Sequence, residues 1–210
     1  MVGLNTIGGK ERFHQREQDP DPQRYDIEKI IQHPEWNLAE FYKGNDIALV
    51  RVKGLIKLFE DDVNSIAIPV CLPWPSEDPE IFMKTEQRLI VTGWGKTSNK
   101  KNIVDENLEK YQAASGTMIR DYLPVIDEDT CKKSSSSVNY SIQICAGAQR
   151  GRDSCKGDSG GPMVAREFIG DPYYQVGIVS YGTKTCGIGK PTIATRVTAF
   201  LKWIQANLEP

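Results

Sequence analysis

The 210-residue chain has only two histidines, His14 and His33, and its five cysteines include no C-x-x-C pair. A zinc site draws on thiolates and imidazoles at short spacing, so no metal site is expected, and no cofactor is called for. An excess of one charge is lacking too: 26 Lys and Arg stand against 28 Asp and Glu, a formal net charge of -2. That balance leaves no basic surface for a nucleic acid. No apolar run approaches the length that crosses a bilayer, so no membrane partner is expected. The start, Met1-Val2-Gly3-Leu4-Asn5, has neither the basic nor the apolar part of a signal peptide.

The cysteines pull against that last absence. Positions 71, 131, 145, 155 and 186 suit two disulfides and one odd thiol, which implies an oxidising compartment. The odd thiol then seeks a partner outside the chain. Sequence preceding Met1 would account for both the missing leader and the missing partner.

Turn residues are plentiful, with 18 Gly and 12 Pro. Between them recur short apolar or alternating runs, the pattern of an all-β fold. Candidate strands are Ile27–Gln32 and residues 47–52, 88–92, 175–180 and 192–196. Only residues 197–208 read as helical, with Phe200, Leu201, Ile204 and Leu208 on one face. Residues 12–24, with Asp19-Pro20-Asp21-Pro22, and residues 98–105 read as exposed loops, and residues 72–79 as a connector.

The strongest chemical signal is Gly157-Asp158-Ser159-Gly160-Gly161-Pro162. A serine becomes a useful nucleophile on a rigid, tight turn whose backbone also offers hydrogen-bond donors. Glycines on both sides permit that turn and leave room for a substrate. Asn45-Asp46-Ile47-Ala48-Leu49 sets an acid at the start of an apolar strand, where burial without a partner is costly.

These two motifs, with Thr92-Gly93-Trp94-Gly95, Val179-Ser180-Tyr181-Gly182 and the final helix, resemble the chymotrypsin-like (trypsin-type) serine proteases in order and spacing. The resemblance runs from about residue 25 to 208 and is nearest to the clip-domain proteases of arthropods. It implies two antiparallel six-stranded β-barrels and a C-terminal α-helix. The first barrel, about residues 1–73, is incomplete; the second, with the helix, is about 74–210.

The resemblance also implies roles. Ser159 is the nucleophile, Asp46 orients a histidine, and the N–H groups of Gly157 and Ser159 form the oxyanion hole. Asp158 receives the ammonium created by zymogen cleavage. Asp153 floors the specificity pocket and draws a Lys or Arg side chain, with Ser180, Gly182 and Thr192 along its walls. Cys131 pairs with Cys145 and Cys155 with Cys186, while Cys71 tethers a pro-segment or light chain. Asn139-Tyr140-Ser141 is a glycosylation sequon. The implied partners are a protein substrate, another zymogen, and a serpin-type inhibitor, met outside the cell.

Three departures qualify the likeness. No Ala-Ala-His-Cys segment is present, and neither His14 nor His33 stands in the context of a base, so the chain by itself is expected to be nearly inactive. A non-catalytic homologue acting as a binding cofactor is the alternative. Thr192 stands where trypsin-like members have glycine, and either narrows the pocket or is accommodated by a backbone shift. Residues 111–122 look like an insertion before a strand at 123–126.

Overall fold

A computed structural model describes residues 23–60, 67–74, 82–96 and 118–208. Strands dominate. β1 (Ile27–Gln32) and β2 (Ala48–Val52) form an antiparallel pair. β3 (Arg88–Gly93), β4 (Ile119–Pro124), β5 (Gln143–Gly147), β6 (Pro162–Ala165), β7 (Tyr174–Tyr181) and β8 (Pro191–Arg196) make a six-stranded sheet in the order β4-β3-β6-β7-β8-β5. The sheet curls until its edge strands meet, through a bridge between Val125 and Ala146 and a 2.9 Å bond from Ile126 N–H to the Cys145 carbonyl. The all-β expectation of an entire second barrel and a partial first one holds.

Alternation fills the barrel. Leu89 and Val91 on β3, Leu123 on β4, Ile144 on β5, Met163 on β6 and Val176 on β7 form one buried cluster. Removing each such side chain from water stabilises the fold by about 1.5–3 kcal/mol. A second cluster joins the small sheet to the chain's end, with Ile47 packed among Val197, Phe200, Leu201 and Ile204. The His33 ring adds to it, edge-on to Phe200 and tilted against Trp203 at centroid distances of 5.2 and 5.1 Å. Asp46, next to Ile47, is thereby fixed against the barrel.

Several expectations need correction. The C-terminal segment opens as a 3-10 turn, Val197–Phe200, and is α-helical only over α2 (Leu201–Ala206). Asn207 ends it by donating from Nδ2 to the Trp203 carbonyl at 2.8 Å, so Leu208 lies beyond the helix and is 64% exposed. It is not the only helix. α1 (Glu128–Ser134) begins where the Asp127 carboxylate accepts the Thr130 N–H at 2.8 Å, and it buries Cys131. Residues 119–122 belong to β4, paired with Gly93 through Ile90, and are therefore not inserted sequence. Residues 111–117, the loop at 98–105, His14 and the Asp19–Asp21 stretch lie outside the described residues.

Candidate active site

Ser159 occupies an exposed turn between Cys155 and the start of β6. Its backbone donors divide in alternation. Asp158 N–H bonds to the Cys155 carbonyl at 2.9 Å, Gly160 N–H to Val179 at 2.8 Å, and Gly161 N–H to Asp158 at 2.9 Å. The N–H groups of Gly157 and Ser159 take no partner among the described residues. Gly157 adopts φ +107, a conformation costly for other residues, and a Cβ there would come within 3.1 Å of the Gly95 Cα.

The Asp158 carboxylate explains the Gly93-Trp94-Gly95 motif. It accepts the N–H of Gly95 at 2.8 Å and that of Cys155 at 2.9 Å. A Cβ at Gly93 or Gly95 would overlap the carboxylate, so glycine is needed at both for space. Beside it a cavity of about 300 Å3 is lined by Val91, Lys96, Asp121, Asp153, Asp158 and Cys186, among others.

Asp46 is half-buried and partnered. Ser180 Oγ donates to its Oδ2 at 2.6 Å, and Thr195 Oγ1 donates to its backbone carbonyl at 2.8 Å. These bonds lock β2's entry to β7 and β8. Ser180 is thus an anchor for Asp46, a role beyond the pocket-wall one that the sequence suggested, and Thr195 was not foreseen.

Asp153 is also held at both oxygens. Thr192 Oγ1 donates to Oδ1 at 2.6 Å and Gly187 N–H to Oδ2 at 2.9 Å. Ser154 Oγ lies 2.9 Å from Thr192 Oγ1. Neither Ser154 nor Gly187 carries a sequence signal that marks it beforehand. Gly182 is exposed at the end of β7, where an added Cβ would find Pro191 O and Thr192 Cα at 3.9 Å. Beside it Tyr181 stacks edge-on against Phe41 at 5.2 Å, and burial raises its phenol pKa above the ordinary value.

Comparison with known proteins matches the Trypsin family over residues 4–204. The chain belongs to the trypsin family. Phenoloxidase-activating factor 3 of Holotrichia diomphalia is 38% identical over 194 residues, covering 90% of this chain and 49% of that protein. Spaetzle-processing enzyme of Drosophila melanogaster is 35% identical over 191 residues, covering 88% and 43%. CLIP domain-containing serine protease HP8 of Bombyx mori is 32% identical over 187 residues, covering 87% and 46%. This trypsin-family chain spans about half the length of the relatives it matches.

The cysteines of the trypsin-family chain sort as the resemblance implied. Cys131 bonds to Cys145 and Cys155 to Cys186, with Cα separations of 6.0 and 5.6 Å. Cys71 is a free, half-buried thiol whose backbone is pinned to β7's start, N–H to the Tyr173 carbonyl at 3.1 Å and carbonyl to the Gln175 N–H at 2.9 Å. Asn139 is exposed, and its Oδ1 accepts the Ser141 hydroxyl at 2.6 Å. His33 Nδ1 accepts the Glu35 N–H at 3.3 Å, so its ring serves packing and a local turn. Among the described residues no cluster suits a metal ion, and no helix is long and apolar enough to cross a membrane.

Proposed function

We propose that the chain is the greater part of the protease domain of a secreted serine endopeptidase, acting after Lys or Arg in an extracellular cascade. The observation that carries this is the pair of unpartnered N–H groups, Gly157 and Ser159, flanking the exposed Ser159 hydroxyl. Donors held ready, with no reorganisation, stabilise the oxyanion that forms when a serine attacks a peptide carbonyl. In the family's mechanism Ser159 Oγ bonds to the scissile carbon while a histidine takes its proton, then returns it to the departing amine. Water repeats the sequence to release the acid.

Asp46 orients that histidine; the Ser180 and Thr195 bonds hold its carboxylate in register for the task. Asp158 receives the new N-terminal ammonium on activation, an assignment supported by its cavity. Asp153 selects the cationic side chain, because a half-buried carboxylate gains from a paired charge. Cys71 bonds to a pro-segment or light chain. A zymogen substrate and a serpin-type inhibitor are the partners, in keeping with the printed names of the relatives.

The base comes from protein sequence beyond these residues, since His33 is spent on Phe200 and Trp203. Loss of such a histidine costs on the order of a millionfold in kcat. The 210 residues alone are therefore nearly silent. The test is hydrolysis of amide substrates ending in Lys, Arg or Ala by the full-length, activation-cleaved protein. Ser159-dependent cleavage after a basic residue is expected. A folded, cleaved protein that hydrolyses none of them would instead be a binding homologue.

A further inference from the structure

Thr192 cannot retreat from the pocket. It lies within β8, its Cα paired in register with Ala146 of β5, and it is wholly buried. The position of a Gly182 side chain would be only 3.9 Å from the Thr192 Cα, so the two walls already stand close. A backbone shift that moved the threonine aside would break the β5–β8 ladder. Its side chain instead turns onto the pocket floor and bonds to Asp153 at 2.6 Å.

The direction of the protons follows from chemistry. A carboxylate only accepts, so the single Thr192 hydroxyl hydrogen goes to Asp153 Oδ1. In the 2.9 Å contact between Ser154 and Thr192 the donor must then be Ser154. A relay runs from Ser154 through Thr192 to Asp153, and it leaves the lone pairs of Ser154 Oγ to accept from a ligand. The other carboxylate oxygen is already engaged by Gly187 N–H at 2.9 Å.

The two basic side chains meet this floor differently. A guanidinium is a rigid planar fork that pairs best with two carboxylate oxygens presented side by side. Here one oxygen is covered by a β-branched side chain and the other holds a backbone N–H. An ammonium is a compact charge with three rotatable donors, on a stem one bond shorter. It is satisfied by the Ser154 hydroxyl oxygen and one free lone pair of the carboxylate, without displacing Thr192.

We propose that Thr192 is a specificity-determining residue, admitting the ammonium of a lysine side chain to the Asp153 pocket and excluding the guanidinium of arginine. The proposal rests on the reading of Asp153 as the floor of the substrate pocket.

Ligand binding tests it without requiring catalysis. Calorimetric titration of the full-length, activation-cleaved protein uses pentylammonium as the lysine-like probe and benzamidine as the planar arginine-like one. The unaltered protein should bind pentylammonium more tightly. Thr192→Gly should strengthen benzamidine binding by roughly tenfold or more, reversing the order. Thr192→Val keeps the bulk and removes the hydroxyl; it should weaken pentylammonium without admitting benzamidine. Tighter benzamidine binding by the unaltered protein overturns the proposal, while loss of both ligands in Asp153→Asn would leave the pocket assignment standing. If neither probe binds the unaltered protein and both bind Thr192→Gly, Thr192 is a plug and the lysine assignment fails. If no probe binds any of the folded proteins, the Asp153 reading fails together with the proposal.

Discussion

Replacing Gly95 by alanine puts the account of the Asp158 turn at risk in a measurable way. Gly95 has an unexceptional φ, so backbone strain does not enter. The added methyl overlaps the Asp158 carboxylate, which must leave the N–H groups of Gly95 and Cys155 or push the turn outward. Forced overpacking costs about 1–3 kcal/mol, and a lost hydrogen bond to a charged group about 1.5–3 kcal/mol. Together they give a loss of roughly 2–5 kcal/mol, or a fall in Tm of about 5–15 °C for a domain of this size. Circular dichroism with urea or heat measures it, with Gly182→Ala as control, where only ordinary contacts at 3.9 Å await the methyl. The control should lie within about 0.5 kcal/mol of the parent. In an Asp158→Ala background the Gly95→Ala penalty should shrink, because the overlap is gone. An unchanged midpoint for Gly95→Ala, or a penalty equal in both backgrounds, refutes the reasoning.

Further outcomes follow from the packing and the caps. Ile144→Ala, at a fully buried position on β5, should lower unfolding stability by about 2–5 kcal/mol in urea titration. Replacing Cys131 and Cys145 by serine opens a link between residues 14 apart. The cost should be about 2–4 kcal/mol, read against the reduced parent. Asp127 caps α1, and the Thr130 N–H holds its carboxyl below the ordinary value of 3.8. Its folded pKa is lowered, so the cap's contribution is present above the unfolded value and lost as pH falls through the folded one. Asp127→Ala should accordingly be less stable than the parent at neutral pH and indistinguishable from it in strong acid, by Tm.

Strands whose side chains alternate were legible in the sequence. Ile27–Gln32 and the start of β3 at Arg88 were placed correctly because turn residues bound them. β5 was missed because Gln143–Gly147 is buried on all positions and so shows no alternation. β6 was missed because it is only four residues long and begins on Pro162. Asp127, with acids in the first turn and lysines in the last, did mark α1, but seven residues of polar helix leave a weak periodic signal. Of the site, the turn at Ser159 was legible because a glycine-flanked serine is a local property. The bonds from Ser180 to Asp46, 134 residues apart, and from Thr192 to Asp153, 39 apart, were not. Long-range pairs of common polar residues carry no local pattern; only the fold brings them together.

The central claim is that Ser159 is a nucleophile set beside a prepared oxyanion site. Treating the full-length, activation-cleaved protein with a fluorophosphonate and mapping the adduct by mass spectrometry tests it most directly. The account predicts one phosphonylated serine, Ser159, and no labelling in Ser159→Ala. A correctly folded protein that stays unlabelled at Ser159, or is labelled equally after the substitution, contradicts it.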